Sequence, residues 1–193
     1  SGNTYLSISA SGNSTSGHVV VGGIETGGNG NKVSFYSTSG GTVSLVSANY
    51  AESGVTSGDK YGNEVFVSGT TCFVGAPGTS SDAGKVYAYE YSSSWSLQYS
   101  LDSPESSAEF GTSIQYNGTI VLIGAPGAKK VFVYTYSTSN GFSLIQTIER
   151  SSDTYFGTTI RMKSSIVLIN KFDSTPGAYD GTGTVYIYKL HTN

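Results

Sequence analysis

The apolar residues of this chain come in runs of four to seven, many of them β-branched or aromatic, and each run is closed off by Gly, Asn or Ser. That punctuation reads as strands joined by tight turns, and no window carries the spacing of an amphipathic helix. Within 61–109 the pattern predicts strands over Glu64–Ser68, Thr71–Ala76, Lys85–Tyr91 and Trp95–Leu101. Within 110–155 it predicts Ser113–Tyr116, Thr119–Ala125, Lys130–Tyr136 and Phe142–Ile148. Ser68-Gly69-Thr70 and Asn117-Gly118 supply the positive φ of a hairpin reversal, so each set of four reads as an antiparallel meander. Cys72-Phe73-Val74 and Val121-Leu122-Ile123 are apolar on consecutive residues, as a strand buried on both faces requires, while Lys85–Tyr91 alternates more. The second strand of each meander is therefore expected to lie deep and the later ones nearer the rim.

The chain also repeats itself. Tyr61-Gly62, Phe110-Gly111 and Phe156-Gly157 recur at spacings of 49 and 46 residues. Fourteen positions after each aromatic stand Gly75-Ala76-Pro77, Gly124-Ala125-Pro126 and a degenerate Asn170-Lys171-Phe172. A third landmark follows as Lys85–Tyr89, Lys130–Tyr134 and Thr184–Tyr188. The first sixty residues fit the same frame loosely through Leu6–Ser9, His18–Gly23 and Lys32–Tyr36. A period in this range marks solenoids and propellers. The expected organisation is one domain over 1–193, with repeats at about 1–60, 61–109, 110–155 and 156–193. The fourth repeat has no counterpart of Trp95–Leu101, so its last strand is missing.

Composition removes several function classes. With 10 basic and 13 acidic residues and a net charge of -3, no basic groove for nucleic acid or an anionic surface is expected. The 37% of hydrophobic residues, arranged in runs, argues against disorder despite the many Ser and Gly. Cys72 is the sole cysteine and sits inside an apolar run, so it reads as a small buried hydrophobe rather than a reactive thiol. No window approaches the length of a membrane span, and no basic stretch followed by an apolar run marks a signal peptide at the N-terminus.

The aromatic-Gly and Gly-Ala-Pro landmarks resemble the FG-GAP repeat of integrin α subunits, with the likeness closest in the second and third repeats. That resemblance implies an all-β fold: a β-propeller, or part of one, of about four blades. Calcium-binding members of the family carry an Asp-rich loop between the first two strands of a blade. Here the matching positions hold Ser68-Gly69-Thr70, Asn117-Gly118 and Lys163-Ser164, without carboxylates, so no metal site is carried over. Asp173 and Asp180, in the loop 171–183, read as solvated loop acids.

A search for chemistry finds little. His18 and His191 fall in different repeat positions and read as ordinary strand-edge or surface residues. No Gly-x-Ser-x-Gly elbow is present, and Gly28-Asn29-Gly30 leads into a strand, as a turn does. Neither a catalytic site nor a cofactor is expected. The resemblance implies a non-enzymatic extracellular module, structural or protein-binding, of the cell-surface, adhesin or filament kind. Its partner, another protein or another copy, would dock at the open edge of the last blade, unless a larger propeller or the N-terminal segment covers that edge. The alternative is a lectin-like domain, because Tyr87, Tyr89, Tyr91, Tyr134 and Tyr136 have the ring chemistry to stack on sugars, although cross-strand packing accounts for most of them. Two N-glycosylation sequons, at Asn13 and Asn117, fall in expected turns, with Asn117 the more hindered.

Overall fold

Every expected run is a strand in the computed structural model, which describes residues 5–13, 15–24, 31–50, 52–172 and 183–190. The first sheet comprises β1 (Tyr5–Gly12), β2 (Ser16–Ile24), β3 (Lys32–Ser39) and β4 (Thr42–Tyr50). The second comprises β5 (Glu64–Ser68), β6 (Thr71–Ala76), β7 (Lys85–Tyr91) and β8 (Trp95–Asp102). The third comprises β9 (Ser113–Tyr116), β10 (Ile120–Ala125), β11 (Lys130–Ser137) and β12 (Gly141–Glu149). The fourth has β13 (Ile160–Lys163), β14 (Ile166–Phe172) and β15 (Gly183–Lys189), and no fourth strand among the described residues. Neighbours in sequence pair antiparallel throughout, so the molecule is an all-β propeller of four blades with a three-stranded last blade.

The first strands β1, β5, β9 and β13 pack in succession along the axis, and the blades stack face on face around them. Three apolar clusters fill the joints. Val20, Val33 and Phe35 of blade 1 meet Val65, Cys72, Val74 and Tyr89 of blade 2. Phe73, Val86 and Ala88 of blade 2 meet Phe110, Ile114 and Ile123 of blade 3. Leu122, Val131 and Val133 of blade 3 meet Phe156, Ile160 and Ile169 of blade 4. In β6 every residue is buried, because one face packs backward and the other forward.

The repeat landmarks have a mechanical reason. Tyr61, Phe110 and Phe156 are fully buried anchors at the joints. The glycine after each has a φ of 87°, 94° or 90°, where a side chain is strained. Its N–H donates to the second strand of its own blade, at the carbonyl of Gly75, Gly124 or Asn170, each at 3.0 Å. Its own carbonyl oxygen presses on the preceding blade: a Cβ on Gly75 would lie 2.0 Å from that of Gly111, and one on Gly22 or Gly124 would lie 2.1 Å from that of Gly62 or Gly157. The glycine of Gly-Ala-Pro is thus required wherever a following blade closes in.

Candidate functional site

Two concavities and one open surface offer themselves. Along the axis, the first strands line a largely polar chamber of about 460 Å³ with Ser7, Ser9, Asn63, Glu64, Gln115 and Arg161. Most of these side chains staple one blade to the next. Ser7 Oγ donates to the Gly62 carbonyl at 2.9 Å and Ser113 Oγ to that of Gly157 at 2.7 Å. Ser9 Oγ accepts from the Val67 N–H at 3.0 Å, and Gln115 Oε1 from the Met162 N–H at 3.2 Å. Burial pushes the Glu64 carboxyl up to about 7, against the opposing pull of Arg161 and of the Ile114 amide. The chamber can hold a small polar molecule, but its donors and acceptors are largely committed to the joints.

The second concavity, about 440 Å³, opens between the β1–β2 hairpin of blade 1 and the β5–β6 turn of blade 2. Asn13, Ser16, His18, Thr38, Thr70 and Tyr91 are among its lining residues. The His18 ring lies 4.4 Å from that of Tyr91 and 5.1 Å from that of Trp95, and Trp95 stacks on Phe35 at 5.1 Å. Burial holds the imidazole below its ordinary value, against the opposing effect of a backbone hydrogen bond with Tyr36. His18 Nδ1 and Trp95 Nε1 are buried without a hydrogen-bond partner among the described residues. From the sequence His18 reads as an ordinary strand-edge residue; its ring partners Tyr91 and Trp95 lie more than seventy positions away, and no local pattern announces them.

The open surface is the outer side of blade 4. Leu168 is 39% exposed, Val185 60% and Ile187 74%. Their register counterparts in the covered blades, Phe73 and Leu122, Val86 and Val131, Ala88 and Val133, are at most 2% exposed. Arg161, Lys163 and Lys189 surround these apolar positions and are exposed as well.

Asn13 and Asn117 both lie exposed at hairpin turns, as the sequence implies. Each uses its side-chain Oδ1 to hold its own turn. Asn13 accepts from the Thr15 N–H and hydroxyl at 2.8 and 2.7 Å, and Asn117 from the Thr119 and Ile120 N–H groups at 3.1 and 2.9 Å. Cys72 is fully buried, and burial raises its thiol far above the ordinary range. Of the five tyrosines considered for stacking on sugars, Tyr87, Tyr89, Tyr134 and Tyr136 are buried in the joints, which removes them; Tyr91 alone lines a cleft. His191, Asp173 and Asp180 lie outside the described residues. Among the described residues no helix is long and apolar enough to cross a membrane.

No protein-family model matches the sequence, and no curated protein matches it. Solved structures do match in fold. One is a protein from Lactobacillus plantarum, with a TM-score of 0.53 and 14% identity over 96% of this chain and 56% of that one. Another is a fungal lectin from Aleuria aurantia, described as a six-bladed β-propeller that recognises fucose, with a TM-score of 0.54 and 13% identity over 98% of this chain and 62% of that one. The chain thus spans roughly three-fifths of the length of these structures, and the likeness is one of fold.

Proposed function

We propose that this chain is a non-enzymatic, extracellular interaction module of the FG-GAP type that engages a protein partner through the open side of its last blade. The supporting observation is the exposure of Leu168, Val185 and Ile187 at positions that the other blades keep buried. A contiguous apolar surface of this kind is costly to leave in water and favours a covering partner. The aromatic-Gly and Gly-Ala-Pro landmarks support the family reading, and the two sequons in exposed turns suit a secreted protein. The test uses Ile187→Cys in a chain whose native thiol is buried and inert. A bulky maleimide should label position 187 in the isolated protein and be excluded from it in the native setting. Equal labelling in both would sink the proposal.

A second reading, carbohydrate recognition, is favoured by the cleft between blades 1 and 2. There the Tyr91 and His18 rings stand beside Ser, Thr and Asn side chains, the combination of apolar ring face and hydroxyl partners that a sugar uses. The lectin among the fold neighbours is in keeping with it. A glycan array probed with the native chain and with Tyr91→Ala should show signal lost in the variant; an array blank for both would exclude this reading.

A further inference from the structure

Blades 1 and 2 each have all four strands, and the described residues that line the cleft between their tips belong to them. One wall is a row that crosses three strands: Ser11 of β1 pairs with His18 of β2, and His18 with Ser37 of β3. The other is Tyr91 with Gly69 and Thr70 of the β5–β6 turn, where the Tyr91 N–H donates to the Thr70 carbonyl at 2.8 Å. The Gly69 N–H donates to Ser11 Oγ at 2.8 Å and ties the two walls together. The concavity is therefore preformed, and its volume of about 440 Å³ falls in the range of roughly 300–1,000 Å³ that small-molecule sites occupy.

The lining dictates what fits. His18 and Tyr91, one from each wall, hold their ring centres 4.4 Å apart and make a continuous apolar platform across the joint. Their planes are inclined by 54°, so a flat aromatic molecule stacks on only one of them. Beside the platform stand the hydroxyls of Ser16, Ser37 and Thr38 and the Nδ2 of Asn13, none with a hydrogen-bond partner among the described residues. The axial chamber is the opposite case, because its side chains are spent on the joints. No Asp, Glu, Lys or Arg is among the described residues that line the cleft, so a charged group seated there would lose water without gaining a counter-charge. A second hollow, of about 300 Å³, adjoins the first around the same hairpin. It shares Ser11, Asn13, His18 and Thr38, adds Ala10 and Val19, and is equally free of such charges among the described residues.

Building on the second reading above, that this cleft recognises carbohydrate, we infer that its ligand is an uncharged oligosaccharide, with one pyranose ring laid on Tyr91 and His18 and the next continuing into the hollow beside the β1–β2 hairpin. A pyranose has an apolar C–H face and a rim of hydroxyls. The face meets the two aromatic rings, and the hydroxyls pair with Ser16, Ser37, Thr38 and Asn13. Asn13 Nδ2 only donates, whereas the serine and threonine hydroxyls donate or accept, so a polyol satisfies all four groups at once. A carboxylate or sulfate, which only accepts, brings a charge that nothing in the cleft offsets, and a purely apolar ligand leaves the hydroxyls unmet.

The test titrates the isotopically labelled full chain, followed by amide NMR. The probes are the methyl glycosides of glucose, galactose, mannose and N-acetylglucosamine, the disaccharides maltose, cellobiose, lactose and chitobiose, and the acidic sugars glucuronic acid and N-acetylneuraminic acid. At least one neutral disaccharide should move the amides of Ser11, His18, Gly69 and Tyr91, and should bind about tenfold more tightly than its single sugar. The acidic sugars should leave those amides in place. Tyr91→Ala should weaken the disaccharide about tenfold, while Tyr91→Phe, which keeps the ring face, should retain it. Equal loss in the two variants, or a disaccharide no better than its single sugar, overturns the inference. An acidic sugar that moves the same amides as strongly overturns the uncharged class and leaves the carbohydrate reading standing, whereas a panel that moves none of them removes both.

Discussion

Blades 3 and 4 carry the same strand register, yet the same positions live in different surroundings. Leu122 and Leu168 stand at equal distances from their aromatic anchors, and one is fully buried while the other is 39% exposed. Val131 and Val185 differ in the same way, at 0% and 60%. The repeat sets which way a side chain points; the neighbouring blade sets whether water reaches it. Gly124 and Asn170 carry the contrast into the backbone, since only the first must admit the next blade's carbonyl, that of Gly157, at close range.

Substitutions at paired positions can break this comparison. The largest effect is expected at the glycines. Gly124→Ala or Gly75→Ala should lower stability by about 3 kcal/mol or more, because the new methyl group meets the next blade's backbone carbonyl at 2.1 or 2.0 Å. Asn170→Ala should cost about 1 kcal/mol, the value of its hydrogen bond. Chemical denaturation checks both, and similar losses would erase the distinction between covered and open blades. Next comes Leu122→Ala, expected to cost about 3 kcal/mol through the cavity it leaves, against less than about 1 kcal/mol for Leu168→Ala.

A smaller effect depends on pH. Glu64 has a native pKa of about 7 against an ordinary 4.5, so the folded chain holds this proton more tightly than the unfolded one. Its contribution is therefore greatest below about pH 4.5 and is lost as the pH rises towards 7. The loss is on the order of 1–2 kcal/mol once solvent screening is allowed for. Denaturation midpoints of the native chain and of Glu64→Gln between pH 4 and 8 should diverge, with the variant flatter; parallel curves would contradict the axial assignment. Ser113→Ala should cost about 1 kcal/mol, the value of one staple between blades 3 and 4.

Much of the fold was legible because it is written locally. Glu64–Ser68, Thr71–Ala76 and Lys85–Tyr91 are strands with the bounds the apolar runs imply, since Gly69 and its neighbours end the runs by their own backbone preferences. The first blade was fainter: β4 reads Thr-Val-Ser-Leu-Val-Ser-Ala-Asn-Tyr, a Ser-rich outer strand with little apolar weight, and no expected segment marked it. The sites were the least legible part. The environment of Glu64 comes from Ile114 and Arg161, on other blades, and that of His18 from Tyr91 and Trp95. The tyrosines of β7 and β11 pack as most of them were expected to, but the adjoining blades that bury them are not written in the local pattern.

The central claim, that three joints between four blades are closed and the outer side of the last is open, is tested most directly by residue-resolved hydrogen exchange on the native chain. Amides of β7 and β11 should exchange only through global unfolding, and the outward amides of β15 should exchange orders of magnitude faster. Uniform protection across all three strands would contradict the account.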